Sequence, residues 1–295
     1  MEDKKLILVT GGAGFIGSHL CARLVQEGHK VISLDNYFTG SRENHVPGVD
    51  YREGHTKDIE KHIPESPDLI YHLGEYSRVA KSLEEPQIVF DLNTIGTFGV
   101  LEFWRKKKCK LVYAGSSTKM VGAREDGTLG RNLAPYTWMK AANSELVSNY
   151  ARWYDLPYAI TYFYNVYGPG ERASVDGYGT VIEIFKQQHL EGKPLTVREP
   201  GTQERAFTHI DDTINGLVLV GENGAGDEYG IAAQATFSLL DVAHMFGGEV
   251  TMLPSTPTTR SEAGVTDTTK IEELGWKQGK HLPDYIEAIK REKIT

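Results

Sequence analysis

Four consecutive apolar residues, Leu6-Ile7-Leu8-Val9, run directly into Thr10-Gly11-Gly12-Ala13-Gly14-Phe15-Ile16-Gly17-Ser18. No other stretch limits the possible folds as tightly. A short, unbroken apolar run is what a strand buried on both faces requires. Ile16, Leu20 and Leu24 then recur at helical spacing, and Gly28 ends that helix. Strand, glycine turn and helix start predict a dinucleotide-binding unit, in which backbone N–H groups and the helix N-terminus approach a pyrophosphate. Gly11, Gly14 and Gly17, with Phe15 and Ile16 between them, are the candidate contacts.

The next apolar run, Val31-Ile32-Ser33-Leu34, ends in Asp35. A carboxylate at the tip of the second strand can accept hydrogen bonds from ribose hydroxyls and would repel a 2′-phosphate. NAD is therefore expected rather than NADP, although Arg42 nearby leaves NADP open. A further apolar strand, Leu111 to Ala114, ends in Gly115-Ser116-Ser117-Thr118. Ligands bind outside the carboxyl ends of parallel strands, so Ser117 should face the cofactor crevice. Strand and helix patterns alternate to about residue 165, which predicts βαβ units in a parallel sheet. Beyond Gly168 the pattern loosens, with a helix near Thr180 to His189 and a short strand at Pro194 to Val197. The fold class expected is α/β: a Rossmann-type doubly wound parallel sheet over residues 1–167, then a smaller C-terminal α/β substrate lobe over 168–295.

Tyr136 and Lys140 supply the chemistry. Of fifteen tyrosines, this one alone is followed by lysine four places on. Positions i and i+4 of a helix lie one above the other, so the lysine can reach back beneath the ring. A nearby cation favours the phenolate and makes tyrosine a usable base near neutral pH. Composition narrows the alternatives. A net charge of −8 argues against nucleic-acid or membrane-surface partners, and no apolar run approaches the ~20 residues of a membrane span. The start Met1-Glu2-Asp3-Lys4-Lys5 is not a signal peptide, and Cys21 and Cys109 lack C-x-x-C spacing, as expected of reduced thiols in a cytoplasmic protein. No His or Cys cluster has metal-ligand spacing, so no metal is expected.

The glycine loop, Asp35-Asn36, Asp68 to Leu73, Asn93 to Thr97, Tyr162 to Pro169, Arg205 to Asp212 and the run Arg260, Glu262, Asp267 to Trp276 together resemble the extended short-chain dehydrogenases/reductases, in their nucleotide-sugar epimerase/dehydratase branch. The resemblance spans essentially the whole chain. It implies NAD contacts from Asn36, Asp58, Ile59, Leu73, Asn93 and Phe163 in addition to the loop. Asp58 and Ile59 would touch the adenine, and Lys140 the nicotinamide ribose. It further implies a nucleotide-diphosphate sugar held by Tyr164, Asn165, Arg205, Arg260 and Glu262, and Ser117 sharing the proton taken by Tyr136. Some of the C-terminal chain should cross back to the first domain. A homodimer is implied as well, pairing the helix after Asn93 with the helix of Tyr136 through Val100, Leu101, Phe103, Leu146, Val147 and Tyr150.

Branch members that eliminate water, or decarboxylate, usually carry acidic residues just after the catalytic hydroxyl, where this chain has Thr118 and Lys119. Epimerases need none, so epimerisation at C4 through a 4-keto sugar is the expected reaction. A 4,6-dehydratase using Lys119 as base is the alternative, and a non-catalytic NAD(P)-binding sensor a remote one. Trp138 and Met139 replace the small residues usual in the tyrosine motif. Base contacts are expected from Tyr178 to Phe185 and from Glu199 to Gln203, without identifying the base.

Overall fold

The structure, a computed structural model, describes residues 4–117, 130–171, 179–256 and 267–292. Seven parallel strands make one sheet: β1 (Leu6–Thr10), β2 (Lys30–Asp35), β3 (Val49–Glu53), β4 (Leu69–His72), β5 (Lys110–Ala114), β6 (Tyr158–Phe163) and β11 (Gly226–Ile231). Their order is β11-β6-β5-β4-β1-β2-β3. Leu8 lies opposite Ile32 on one side and Ile70 on the other.

Side chains alternate across the sheet, and both faces are covered, which is why the central strands read as unbroken apolar runs. Leu8, Ile70, Leu111 and Ile160 point to the face packed by α4 (Gly96–Lys107) and α5 (Pro135–Tyr154). Ile7, Val9, Val112 and Ala159 point to the face packed by α1 (Phe15–Gln26) and α7 (Ile210–Asn223). Short helices α2 (Ile59–His62) and α3 (Pro86–Val89) lead toward α4, the latter through a π-helical stretch, Phe90–Ile95. The sheet is thus doubly wound, as expected. Its seventh strand and one covering helix come from beyond residue 168, so the chain crosses back.

The remaining elements form a third core beside the sheet. Phe185 of α6 (Val181–Leu190), Phe246 of α8 (Leu239–Phe246) and Ile286 of α10 (Leu282–Glu292) meet Leu195 and Val197 there. Those two residues belong to β8 (Leu195–Arg198), which pairs with β13 (Val250–Leu253). Two smaller pairs, β7 (Val166–Tyr167) with β10 (Thr208–His209) and β9 (Glu204–Ala206) with β12 (Thr236–Ser238), join this region to the sheet's rim, and α9 (Thr269–Glu273) packs on β11.

One expectation is corrected here. Val100, Leu101, Phe103, Val147 and Tyr150 are buried within the subunit's own core, and Leu146 packs against it. They cover the sheet and are not free to pair with a second copy. Exposed on the outside of the same helices are Phe98 of α4 and Trp138, Trp153 and Tyr154 of α5, with Ile95 exposed just before α4.

Candidate active site

The connections from β1 and β4 leave the sheet in opposite directions, and a cleft of about 540 Å³ opens at the carboxyl ends of these strands. Its floor is the glycine turn. A Cβ on Gly17 would lie 2.0 Å from the Gly11 carbonyl oxygen, and one on Gly11, whose φ is +76°, would lie 2.8 Å from the Gly74 Cα. Only bare backbone packs this closely against the helix start and the loop after β4. The first turn of α1 carries no acidic side chain, so its N-terminal N–H groups can receive an anion.

Asp35 borders the same cleft. Its two oxygens accept hydrogen bonds from the Ala13 and Tyr37 N–H groups, at 2.9 and 2.8 Å. Burial pushes the Asp35 carboxyl above its ordinary value against these two donors. The Arg42 guanidinium pairs with Glu53 at 2.6 Å and sits 4.7 Å from the Tyr37 ring centre. A pyrophosphate cradle and a ribose-facing carboxylate fit NAD.

Ser117, Tyr136 and Lys140 form another part of the wall, with Leu73 and Phe163. Pro135 starts α5 at the position where its missing N–H costs nothing. The Thr137 hydroxyl accepts the Ala134 N–H, and the Tyr136 N–H reaches the Ser82 hydroxyl at 3.3 Å. The tyrosine is therefore fixed to the loop that follows β4.

Lys140 is 4% exposed and forms an ion pair with Glu75. Around that pair lies a connected polar network. Gly74 N–H donates to Thr10 Oγ1 (3.1 Å), which contacts His72 Nδ1 (2.7 Å), and His72 Nε2 contacts Thr97 Oγ1 (3.0 Å). Thr97 in turn donates to Glu75 at 2.7 Å. Burial brings the His72 imidazole down to about 4, so it is neutral, as one donor and one acceptor nitrogen require here. Burial works against the Glu75 carboxylate, but the Lys140 ammonium and the Thr97 hydroxyl hold it below its ordinary value.

Glu171 stands in the same cleft. Both of its oxygens and the Thr180 hydroxyl are buried there. Burial pushes the Glu171 carboxyl up to about 7; neighbouring Glu183 adds to this, while Thr180 and Arg78 oppose it.

Other expected contacts are placed differently. Asn36 and Asn165 border the cleft, Asn165 with its amide donating to the Ala206 carbonyl at 2.8 Å. Gly54 and Thr56 border the cleft after β3. Asp58 instead pairs with Lys61 at 2.6 Å, and Ile59 is buried in the core. Asn93 is fully buried and exchanges hydrogen bonds with the backbone of Tyr76, bracing that loop from behind. Tyr164 packs into the core beneath the sheet. Arg205 donates to the Glu204 carbonyl, and its neighbour Phe207 is the residue that reaches the cleft. Arg260 and Glu262 lie outside the described residues, as do Thr118, Lys119 and Tyr178. The sequence reading missed Glu75 and Glu171; the signal for Glu75 was a carboxylate three residues past the end of the central strand β4.

Comparison with known proteins agrees with this geometry. The model of the NAD dependent epimerase/dehydratase family matches residues 7–232. A protein of Methanocaldococcus jannaschii, provisionally named a UDP-glucose 4-epimerase, is 31% identical over 96% of this chain and 97% of its own length. UDP-glucuronic acid decarboxylase 6 of Arabidopsis thaliana is 30% identical, over 94% of this chain and 85% of its own. Among solved structures, a Thermus thermophilus UDP-glucose 4-epimerase complex with NAD superposes with a TM-score of 0.86 at 26% identity, covering 98% of this chain and 99% of that one. A family signature running through both the glycine cradle and the Tyr136 helix, in a fold that holds NAD in its relatives, leaves one assignment: the chain belongs to the NAD dependent epimerase/dehydratase family of nucleotide-sugar enzymes and uses NAD as its cofactor.

Proposed function

We propose that the protein epimerises a nucleotide-diphosphate sugar at C4 through a 4-keto intermediate. The observation that carries this reading is Ser117, Tyr136 and Lys140 on one cleft wall, with the NAD cradle forming the floor. Bound NAD supplies the hydride acceptor. Tyr136, as phenolate, takes the proton of the C4 hydroxyl and later returns one to the keto oxygen. Ser117 shares that proton, and Lys140 supplies the cation that favours the phenolate. The keto sugar then needs only to present its other face, which calls for no further acid or base.

The dehydratase reading has one observation in its favour. Glu171 places a carboxyl with buried oxygens in the same cleft, where it could serve as acid or base. Incubation with a panel of nucleotide sugars in deuterated water separates the two. Epimerisation gives a C4 epimer without deuterium at C5 and without a 6-deoxy-4-keto product. Deuterium at C5 would overturn the epimerase reading, and loss of that label in Glu171→Gln or Lys119→Ala would identify the base. Release of carbon dioxide from a uronic-acid substrate would point instead to a decarboxylase.

We infer also that the protein works as a homodimer, with the outer surfaces of α4 and α5 as the contact. Phe98 of α4 and Trp153 of α5 are 51% and 57% exposed there, and Ile95 just before α4 is 40% exposed, more apolar surface than a water-facing helix pair needs. The two free cysteines suit a reducing compartment, and the cytoplasm is the location we propose.

A further inference from the structure

The ion pair beneath the cleft has more structure than a stabilising contact requires. Glu75 has a side chain only 1% exposed. One of its oxygens meets the Lys140 ammonium. The other accepts from Thr97 of α4 at 2.7 Å, Tyr113 of β5 at 3.1 Å and Asn143 of α5 at 3.0 Å. His72 of β4 backs Thr97 as a neutral ring, and Tyr136 lies one turn before Lys140. Lys140 itself touches the Ala114 carbonyl at 2.5 Å and lies 4.9 Å from the Tyr113 ring centre.

Stability alone is a poor explanation for this arrangement. A buried ion pair often contributes no more than well-packed apolar residues of the same volume, because desolvation offsets the attraction. A carboxylate anchored from three elements and aimed at the one lysine that the described residues bring to the cleft wall points to chemistry. An ammonium buried without an opposite charge gives up its proton readily. Once neutral, a lysine no longer favours a phenolate, and a carbonyl dipole alone is a weak substitute for a full negative charge.

We propose that Glu75 is a positioning residue of the reaction: it is the resident counter-ion that keeps Lys140 charged and aimed at the cleft, so that Tyr136, Lys140 and Glu75 work as a triad. The proposal rests on the reading of Tyr136 and Lys140 given above. It assigns Glu75 no contact with the reacting carbon.

The test compares wild type, Glu75→Gln and Glu75→Asp as NAD-loaded enzymes. For the Gln variant, kcat should fall about tenfold or more with KM changed little, and the alkaline limb of the kcat profile should move to lower pH by roughly one unit. Glu75→Asp keeps the charge but withdraws it by one methylene, so its limb should lie between the other two; it carries the test alone if the Gln protein does not fold. The same displacement is read without substrate from the Cε resonance of Lys140 in ¹³C-lysine-labelled protein, assigned by its absence from Lys140→Arg. An unmoved limb and an unmoved resonance, with any fall in kcat tracking the melting temperature, would overturn the proposal. Wild-type protein inert toward every nucleotide sugar would instead sink the epimerase reading, and the lysine resonance would still decide the role of Glu75.

Discussion

Single residues decide the chemistry of this cleft, and two of them make separable predictions. Tyr136 is held by its helix and by Ser82, so Tyr136→Phe should leave fold and NAD content intact. Turnover should drop by roughly two to four orders of magnitude, the range expected for a general base. Activity within a few-fold of wild type would remove Tyr136 from the mechanism. Glu171 predicts a pH effect on stability. Its folded value near 7 lies above the 4.5 of a free glutamate, because burial favours the neutral acid. The stability it lends is therefore present in full below about pH 4.5 and is lost as pH rises through 7. Glu171→Gln, neutral throughout, should match wild type near pH 4 and exceed it at pH 8 by about 3 kcal/mol. Denaturant titrations at the two pH values check this, and equal differences at both would show that the carboxyl is not penalised. The Tyr136–Lys140 pair could be read from spacing because four residues make one helical step. Glu171 could not, since nothing local distinguishes a glutamate in a turn from one enclosed by a cleft.

At the scale of elements, the glycine turn and the amphipathic start of α1 were legible because backbone packing there leaves no choice of side chain. The helix α4 was not legible in the same way. It carries Val100, Leu101, Phe103 and Trp104 on its inner side, and Phe98 on an outer side it shares with Glu102, Arg105 and Lys106, so its apolar residues are not confined to one face. Periodicity shows that such a helix is buried on more than one side but not which neighbour covers each side. The sheet takes the first set, which leaves Phe98 and Trp153, with Ile95 just before α4, exposed as the surface proposed for a second copy. Phe98→Glu should then shift the protein from dimer to monomer in sedimentation at micromolar concentration, with the subunit fold unchanged. A dimer of undiminished affinity would place the contact on another surface.

For the whole molecule, strand β11 is the deciding element. It pairs with β6, while Leu217 and Val220 of α7 cover the same face as α1. Residues 1–167 produced alone would lack both and expose an edge of the central sheet together with its apolar face. That fragment should fail to show a cooperative thermal transition, and a sharp transition with native-like circular dichroism would contradict this. The sequence by itself determined the alternation of strands and helices, the NAD cradle, Asp35 at the tip of β2 and the Tyr136–Lys140 spacing. Each of these is a local pattern, set by the period of a strand or helix or by the room a turn allows. Tertiary structure alone decided that residues 226–231 complete the sheet, that Asn93 and Ile59 lie behind the cleft, and that Glu75 meets a lysine 65 positions away. Those outcomes depend on which distant surfaces bury one another, a competition among long-range contacts that no local periodicity records.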